Sequence, residues 1–158
     1  FSALLPVPKR DVVRAKFMLV TVTQMLGLLV AGIFTLIRCL FLFGAPVYAT
    51  QALLPANFVY LSVLLLIFAA FNVVFLGGFF KTAYRLGGPF VGFLIAAFLL
   101  IAIGETLPHL PGLTFLSGSL DGMTGVRAVI FGVSFLLYVI LSILSLRVCM
   151  DRFEKIDL

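Results

Sequence analysis

Apolar residues fill four long runs along the chain: residues 17–43, 58–80, 89–107 and 126–148. An α-helix needs about 20 apolar residues to cross the hydrocarbon layer of a bilayer. Strands of a membrane β-barrel would instead alternate apolar and polar residues over short segments. The pattern therefore predicts an all-α, polytopic transmembrane bundle with four membrane-spanning helices.

Composition places these runs in lipid rather than in a soluble core. Of the 158 residues, 63% are hydrophobic and 11% are charged, and the mean hydropathy is +1.29. A water-soluble domain of this length cannot bury so much apolar surface. The net charge of +5 lies beside the apolar runs, which favours a role in membrane orientation over nucleic-acid binding. We therefore expect a multi-pass protein of the cell membrane, organised as one transmembrane domain over residues 1–158.

Basic residues alternate from loop to loop. They lie before the first run, between the second and third, and at the end of the fourth: Lys9, Arg10, Arg14, Lys16, Lys81, Arg85, Arg147, Arg152 and Lys155. The loops at residues 44–57 and 108–125 contain no Lys or Arg. Because basic loops stay in the cytoplasm, the pattern predicts that both termini are cytoplasmic, including residues 1–16 and a tail at residues 149–158.

Four polar side chains stand inside the apolar runs, where lipid penalises them. Arg38 and Glu105 both lie near the outer ends of their spans, so they either reach the headgroups separately or form an ion pair. Gln24 and Asn72 lie about 12–14 Å from the cytoplasmic ends of their helices, given the helical rise per residue. They either hydrogen-bond across the first two spans or line a polar cavity. We treat all four as candidate intramembrane polar contacts.

The sequence shows no catalytic or metal-binding constellation. Cys39 and Cys149 are expected at opposite ends of the bundle, and the single histidine, His109, stands between prolines in an outer loop. No glycine-rich phosphate loop with a lysine is present. We therefore expect no catalytic residues, no metal and no cofactor in this chain itself.

Residues 5–17, with the sequence LPVPKRDVVRAKF, carry the most specific pattern. Two prolines prevent helix formation at its start, and Asp11 suits the first turn of a short helix that follows. The apolar stripe of this helix consists of Val12, Val13 and Phe17, and basic residues take the other directions. Such a helix either lies on anionic lipid or docks against a cytoplasmic partner.

This segment resembles the one before the third span of bacterial ABC type-2 transporter permeases. Their pattern is Leu-Pro-Val/Ile, a Ser or Thr, two or three basic or polar residues, a hydrophobic pair, and Lys before an aromatic residue; Pro8 departs from the usual Ser or Thr. The basic turn FKTAYRLG (residues 80–87) and the ending SLRVCMDRFEKID (residues 145–157) are similar to the family's turn after its fourth span and to its tail. Such permeases usually have six spans, so we expect this chain to match the last four and to lack the first two.

The resemblance implies the membrane-spanning permease subunit of an ATP-driven exporter. Such permeases pair with a second copy or homologue and bind cytoplasmic ABC ATPase subunits, which carry the ATP and Mg. The helix before the third span presses into a groove on the ATPase. Carried over to this chain, the coupling residues would be Pro6, Lys9, Arg10, Asp11, Val12, Val13 and Lys16.

Other functional interpretations of the sequence are compatible with the same four spans. A non-transporting polytopic membrane protein, of an assembly or immunity type, would have the same basic loops but would need no ATPase. An intramembrane enzyme would need clustered acids or histidines within the spans. A secondary transporter would show broken helices or charges near the midplane.

Overall fold

The computed structural model describes residues 8–42, 53–82, 85–118 and 123–155. Four of its helices are long and apolar enough to cross a membrane. We number them α1 (Lys9–Phe41), α2 (Phe58–Lys81), α3 (Gly87–Thr106) and α4 (Thr124–Glu154). Short 3-10 turns follow α3 at Leu107–His109 and Thr114–Ser117. The predicted all-α bundle with four spanning helices is confirmed.

Helix α1 runs without a break from Lys9 to Phe41. Pro8 precedes it in an extended conformation, and the Pro8 carbonyl oxygen accepts hydrogen bonds from the amides of Asp11 at 2.9 Å and Val12 at 3.4 Å. No proline follows within the helix to interrupt it. The expectation of a separate short helix before the first span is therefore wrong, because residues 9–16 form the first turns of the spanning helix itself.

Helix α2 is the centre of the bundle. It contacts the other three helices, most extensively α4, and α1 also packs against α4. In its most apolar stretch 39% of the residues are buried, compared with 11% in α1 and in α3. The outer faces of α1, α3 and α4 carry exposed Leu, Ile, Val and Phe side chains, and so large an apolar surface suits lipid or another membrane helix.

The middle of α2 is not a regular α-helix. It changes from α-helix (Phe58–Ala70) to π-helix (Phe71–Leu76) and back to α-helix (Gly77–Lys81). A π-helical turn contains an extra residue, and such turns frequently occur at functional sites. This turn contains Asn72, which is fully buried.

Two glycines allow α3 to lie close to α2. A Cβ atom on Gly78 would stand 2.8 Å from the ring of Pro89 in the first turn of α3. A Cβ atom on Gly104 would stand 2.8 Å from a methyl group of Val63 on α2. Small residues at these two contacts therefore set the spacing between the two helices.

The two ends of the bundle differ strongly in charge. Nine of the eleven Lys and Arg residues lie at the end where α1 and α3 begin and α2 and α4 finish. We call this the basic end. Arg38 and Arg127 lie at the opposite end. The start of α1 and the finish of α4 are in direct contact at the basic end, through Arg10 and Glu154.

Candidate functional site

A hydrophobic cluster at the basic end anchors the first turns of α1. Val13 is fully buried and Phe17 is 3% exposed. They pack with residues near the ends of α2 and α4, namely Leu76, Phe80, Cys149 and Phe153. Burial of one aliphatic side chain of this size contributes about 1.5 kcal/mol or more. Among the predicted coupling residues, Val13 therefore faces the chain's own core.

Two other predicted coupling residues, Arg10 and Asp11, are exposed at this end, as is the neighbouring Arg14. Arg10 donates a hydrogen bond from Nη2 to Oε2 of Glu154 at 2.8 Å, within an ion pair. Nη1 of Arg14 lies 3.6 Å from Oδ1 of Asp11 on the same helix. Exposed ion pairs contribute only about 0–1 kcal/mol to stability. The charges therefore shape the surface of the basic end more than they stabilise it.

Three more predicted coupling residues, Lys9, Val12 and Lys16, lie between surface and core. Lys9 and Val12 are half-buried. The ammonium group of Lys16 lies 5.5 Å from the ring centroid of Phe79 and 6.0 Å from that of Phe80, on α2. An ammonium at this distance from an aromatic face is attracted to it, so Lys16 holds α1 against α2. Pro6 lies outside the described residues.

Deep in the bundle, Gln24 of α1 and Asn72 of α2 form a reciprocal amide pair. Nε2 of Gln24 donates to Oδ1 of Asn72 at 3.0 Å, and Nδ2 of Asn72 donates to Oε1 of Gln24 at 3.1 Å. From α4, the Tyr138 hydroxyl donates to Oε1 of Gln24 at 2.9 Å. Nδ2 of Asn72 also donates to Oγ of Ser142 at 2.9 Å, and Ser145 donates to the backbone carbonyl of Asn72 at 2.6 Å. The network therefore joins α1, α2 and α4 at one level.

The network meets the hydrogen-bonding needs of both amides. Asn72 is 0% exposed and Gln24 is 7% exposed, so neither has access to bulk water. The second donor of Gln24 points to the carbonyl oxygen of Phe68 at 3.5 Å. A buried amide that loses its partners costs about 1–3 kcal/mol, so the five side chains stabilise one another as a set. The sequence left two roles open for Gln24 and Asn72, hydrogen bonds across the spans or the lining of a polar cavity. Their geometry in the structure is that of hydrogen bonds between helices.

Three of these five residues were not identified as a group from the sequence. Ser142 and Ser145 stand out only as small residues that favour close packing, and Tyr138 does not stand out at all. The available signal is their spacing, because residues 138, 142 and 145 repeat at the intervals of one helical face. Ser134 and Cys149 extend this buried face of α4 in both directions.

Gln24 also borders a cavity of about 450 Å³. The cavity lies between α1 and α3 with α2 as its floor, and its other walls are Leu19, Val20, Thr23, Ile67, Phe68, Phe71 and Phe93. The Thr23 hydroxyl is bonded to the carbonyl of Leu19 at 2.9 Å. The walls are therefore apolar, with the polar atoms of Gln24 turned towards Asn72 and Tyr138.

At the opposite end, Arg38 and Glu105 bind the same short stretch of backbone. Nη1 of Arg38 donates to the carbonyl oxygen of Ala56 at 3.1 Å, and Oε2 of Glu105 accepts the amide of Leu54 at 2.6 Å. The ion pairs Arg10–Glu154 and Arg14–Asp11 lie at the basic end. The hypothesis of a direct Arg38–Glu105 ion pair is therefore corrected, since each side chain holds the loop that separates them.

Two further side chains at this end were missed in the sequence. Asn57 caps α2 by accepting the amides of Val59 and Tyr60, and Nδ2 of Asn57 donates to the carbonyl oxygens of Leu116 at 2.7 Å and Gly118 at 2.9 Å. Arg127, near the start of α4, is 0% exposed and donates to the carbonyl of Phe115 at 2.7 Å. A lone arginine in an apolar run was the available signal for Arg127.

Among residues 8–42, 53–82, 85–118 and 123–155, no group of three His, Cys, Asp or Glu side chains comes close enough to hold a metal ion. Two acidic side chains at the basic end, Asp11 and Glu154, pair with arginines. The arrangement is that of a packed membrane bundle with one charged end and one buried polar network.

A comparison with known protein families identifies the family to which this chain belongs. The sequence profile of the family described as ABC-2 family transporter protein matches residues 1–154. The chain belongs to the ABC-2 transporter family. Proteins of this family are membrane components of transport systems that generally are not catalytic themselves and work with ATPase partners. No curated protein and no solved structure gives a significant match. The chain is therefore a transport-related membrane protein.

Proposed function

We propose that this chain is the membrane-spanning permease subunit of an ATP-driven ABC exporter. In this proposal it forms the translocation path with a second copy or a homologue. ATP and Mg are bound by a separate cytoplasmic ATPase, and the basic end faces the cytoplasm. The family match over residues 1–154 carries the proposal, and the nine basic residues at one end support the orientation.

The geometry of the basic end suggests how force would enter the bundle. The start of α1 is continuous with the first spanning helix. Val13 and Phe17 tie it to the ends of α2 and α4 through one buried cluster. A push on this segment would therefore move three helices together, which is what a lever between two states of the bundle requires.

The proposal gives different roles to exposed and packed residues at the start of α1. The predicted coupling residues Arg10 and Asp11, with the neighbouring Arg14, are exposed and would contact the ATPase. Val13 and Lys16 would transmit the displacement, because Val13 packs in the core and Lys16 lies over the rings of Phe79 and Phe80.

Charge reversal at the exposed positions tests this assignment. The double variant Arg10→Glu with Arg14→Glu is compared with Lys81→Glu, an exposed basic residue at the same end of the bundle but on α2. We expect all chains to reach the membrane in equal amounts. The first variant should lose most of its bound ATPase, and Lys81→Glu should retain it. Equal ATPase binding by both variants would contradict the assignment of α1 as the coupling element.

A further inference from the structure

The first turns of α1 do not form the surface of the basic end alone. The ion pair between Arg10 and Glu154 brings the last turn of α4 beside them. Asp151, one turn earlier on α4, is exposed at the same end. Beneath these charges, the fully buried Val13 and the 1% exposed Phe153 share one hydrophobic cluster. The two helix ends are thus packed as one body.

We propose that the final turns of α4 are part of the ATPase-docking surface, together with the start of α1. This surface, the charge face, consists of Arg10, Asp11, Arg14, Asp151 and Glu154. The inference rests on the proposed function, since it names which further part of the chain the ATPase subunit contacts.

The charges of this face fit a protein better than a lipid surface. With the exposed Arg152 and Lys155 at the same end of α4, it carries three carboxylates beside four cationic groups, all on exposed residues. Anionic headgroups attract clusters of Lys and Arg and would repel the carboxylates of Asp11, Asp151 and Glu154. A protein partner can place complementary charges opposite both signs, which fixes the register of docking.

The packing beneath the face supports the same conclusion. Residues that contact a moving partner transmit force best when a rigid element holds them in place. Here α4 remains helical as far as Glu154, and Cys149 and Phe153 are buried against α1 and α2. Because the two helix ends are packed together, an ATPase that pushed on the start of α1 would also contact the end of α4.

Site-specific photo-crosslinking in the full-length protein tests the inference. A photoreactive amino acid is placed at Asp11, at Asp151 and, as a matched control on the same helix, at the exposed Val148. The partner is the ATPase subunit that purifies with the wild-type protein. We expect adducts with this ATPase from Asp11 and Asp151 and none from Val148. Adducts from Asp11 alone would overturn the inference and leave the proposed function standing, whereas a wild-type protein without any ATPase would overturn both.

A charge swap separates docking from mere support of α1. We expect Asp151→Lys with Glu154→Lys to reduce ATPase binding by about tenfold or more, because like charges placed opposite each other cost several kcal/mol. The double variant Arg10→Glu with Glu154→Arg keeps an ion pair between these two positions but exchanges the places of its positive and negative charges. If the face docks the ATPase, this swap should also weaken binding. Full binding by the swapped protein would overturn both the inference and the assignment of Arg10 as a contact of the ATPase.

Discussion

The buried amide pair allows a quantitative prediction. Replacing Asn72 by Leu, which has a similar size, removes three side-chain hydrogen bonds, two with Gln24 and one with Ser142. Hydrogen bonds between membrane helices contribute about 0.6 kcal/mol each on average, so their loss costs about 2 kcal/mol. The Gln24 amide is left without its main partner, which adds about 1–2 kcal/mol. We therefore expect the free energy of unfolding to fall by about 3–4 kcal/mol.

A double-mutant cycle measured by reversible unfolding in mixed micelles isolates the pair. Asn72→Leu, Gln24→Leu and the double variant are compared with the wild type. The double variant should be more stable than the sum of the single effects by at least about 1 kcal/mol, because it leaves no amide without its partner. Val73→Leu, at an exposed position on the same turn of α2, should change stability by no more than about 0.5 kcal/mol. Additive single effects would refute the claim that the two amides act as a unit.

Three other predictions test separate parts of the structure. Val13→Asp should prevent stable accumulation of the protein in the membrane, whereas Arg14→Glu should accumulate normally, since only Val13 is buried; quantitative immunoblotting of membranes checks both. Gly78→Val should push α3 away from α2, because the added side chain meets Pro89, and a cross-link between cysteines on the two helices should form more slowly than in the wild type; an unchanged rate would disprove the contact. Glu105→Gln should lower the melting temperature of the detergent-solubilised protein, since the amide of Leu54 loses its charged acceptor, and a melting temperature at or above the wild-type value would contradict that role.

The fold could be predicted from the sequence because lipid imposes a simple rule. Each apolar run of about 20 residues must form its backbone hydrogen bonds internally, so the existence of the four helices followed directly. Their ends did not follow. The charges of the turns from Lys9 to Lys16 predicted a segment separate from the first span. These turns instead belong to α1, because the proline that precedes the helix is Pro8 and no residue after it interrupts the helix before Phe41.

Side-chain partners were harder to predict because partners depend on how the helices rotate about their axes. Gln24 and Asn72 could be placed at similar depths from helical rise alone, but the role of Tyr138 required the face of α4 to be known. Arg38 and Glu105 also share a depth. Their partners are nevertheless backbone groups of Leu54 and Ala56, in a loop whose path an apolar pattern does not reveal. The π-helical turn at Phe71–Leu76 has no clear signal in the sequence either.

The role of Val13 shows the limit of a resemblance. The family pattern marks a hydrophobic pair before the third span, and such a pair suits either a docking surface or an internal anchor. The structure places Val13 in the core and leaves Val12 half-buried. The exposed charges beside them are therefore the better choice for variants that test coupling without disturbing the fold.

The most direct test of the central claim is purification of the full-length protein from its native membrane in mild detergent, followed by measurement of bound ATPase. If the chain is an ABC permease subunit, an ATP-hydrolysing subunit with a phosphate-binding loop should purify with it in fixed stoichiometry. That subunit should be lost from the Arg10→Glu, Arg14→Glu variant. A folded protein without such a subunit, under conditions in which a known permease retains its own, would contradict the account and favour a non-transporting role for the bundle.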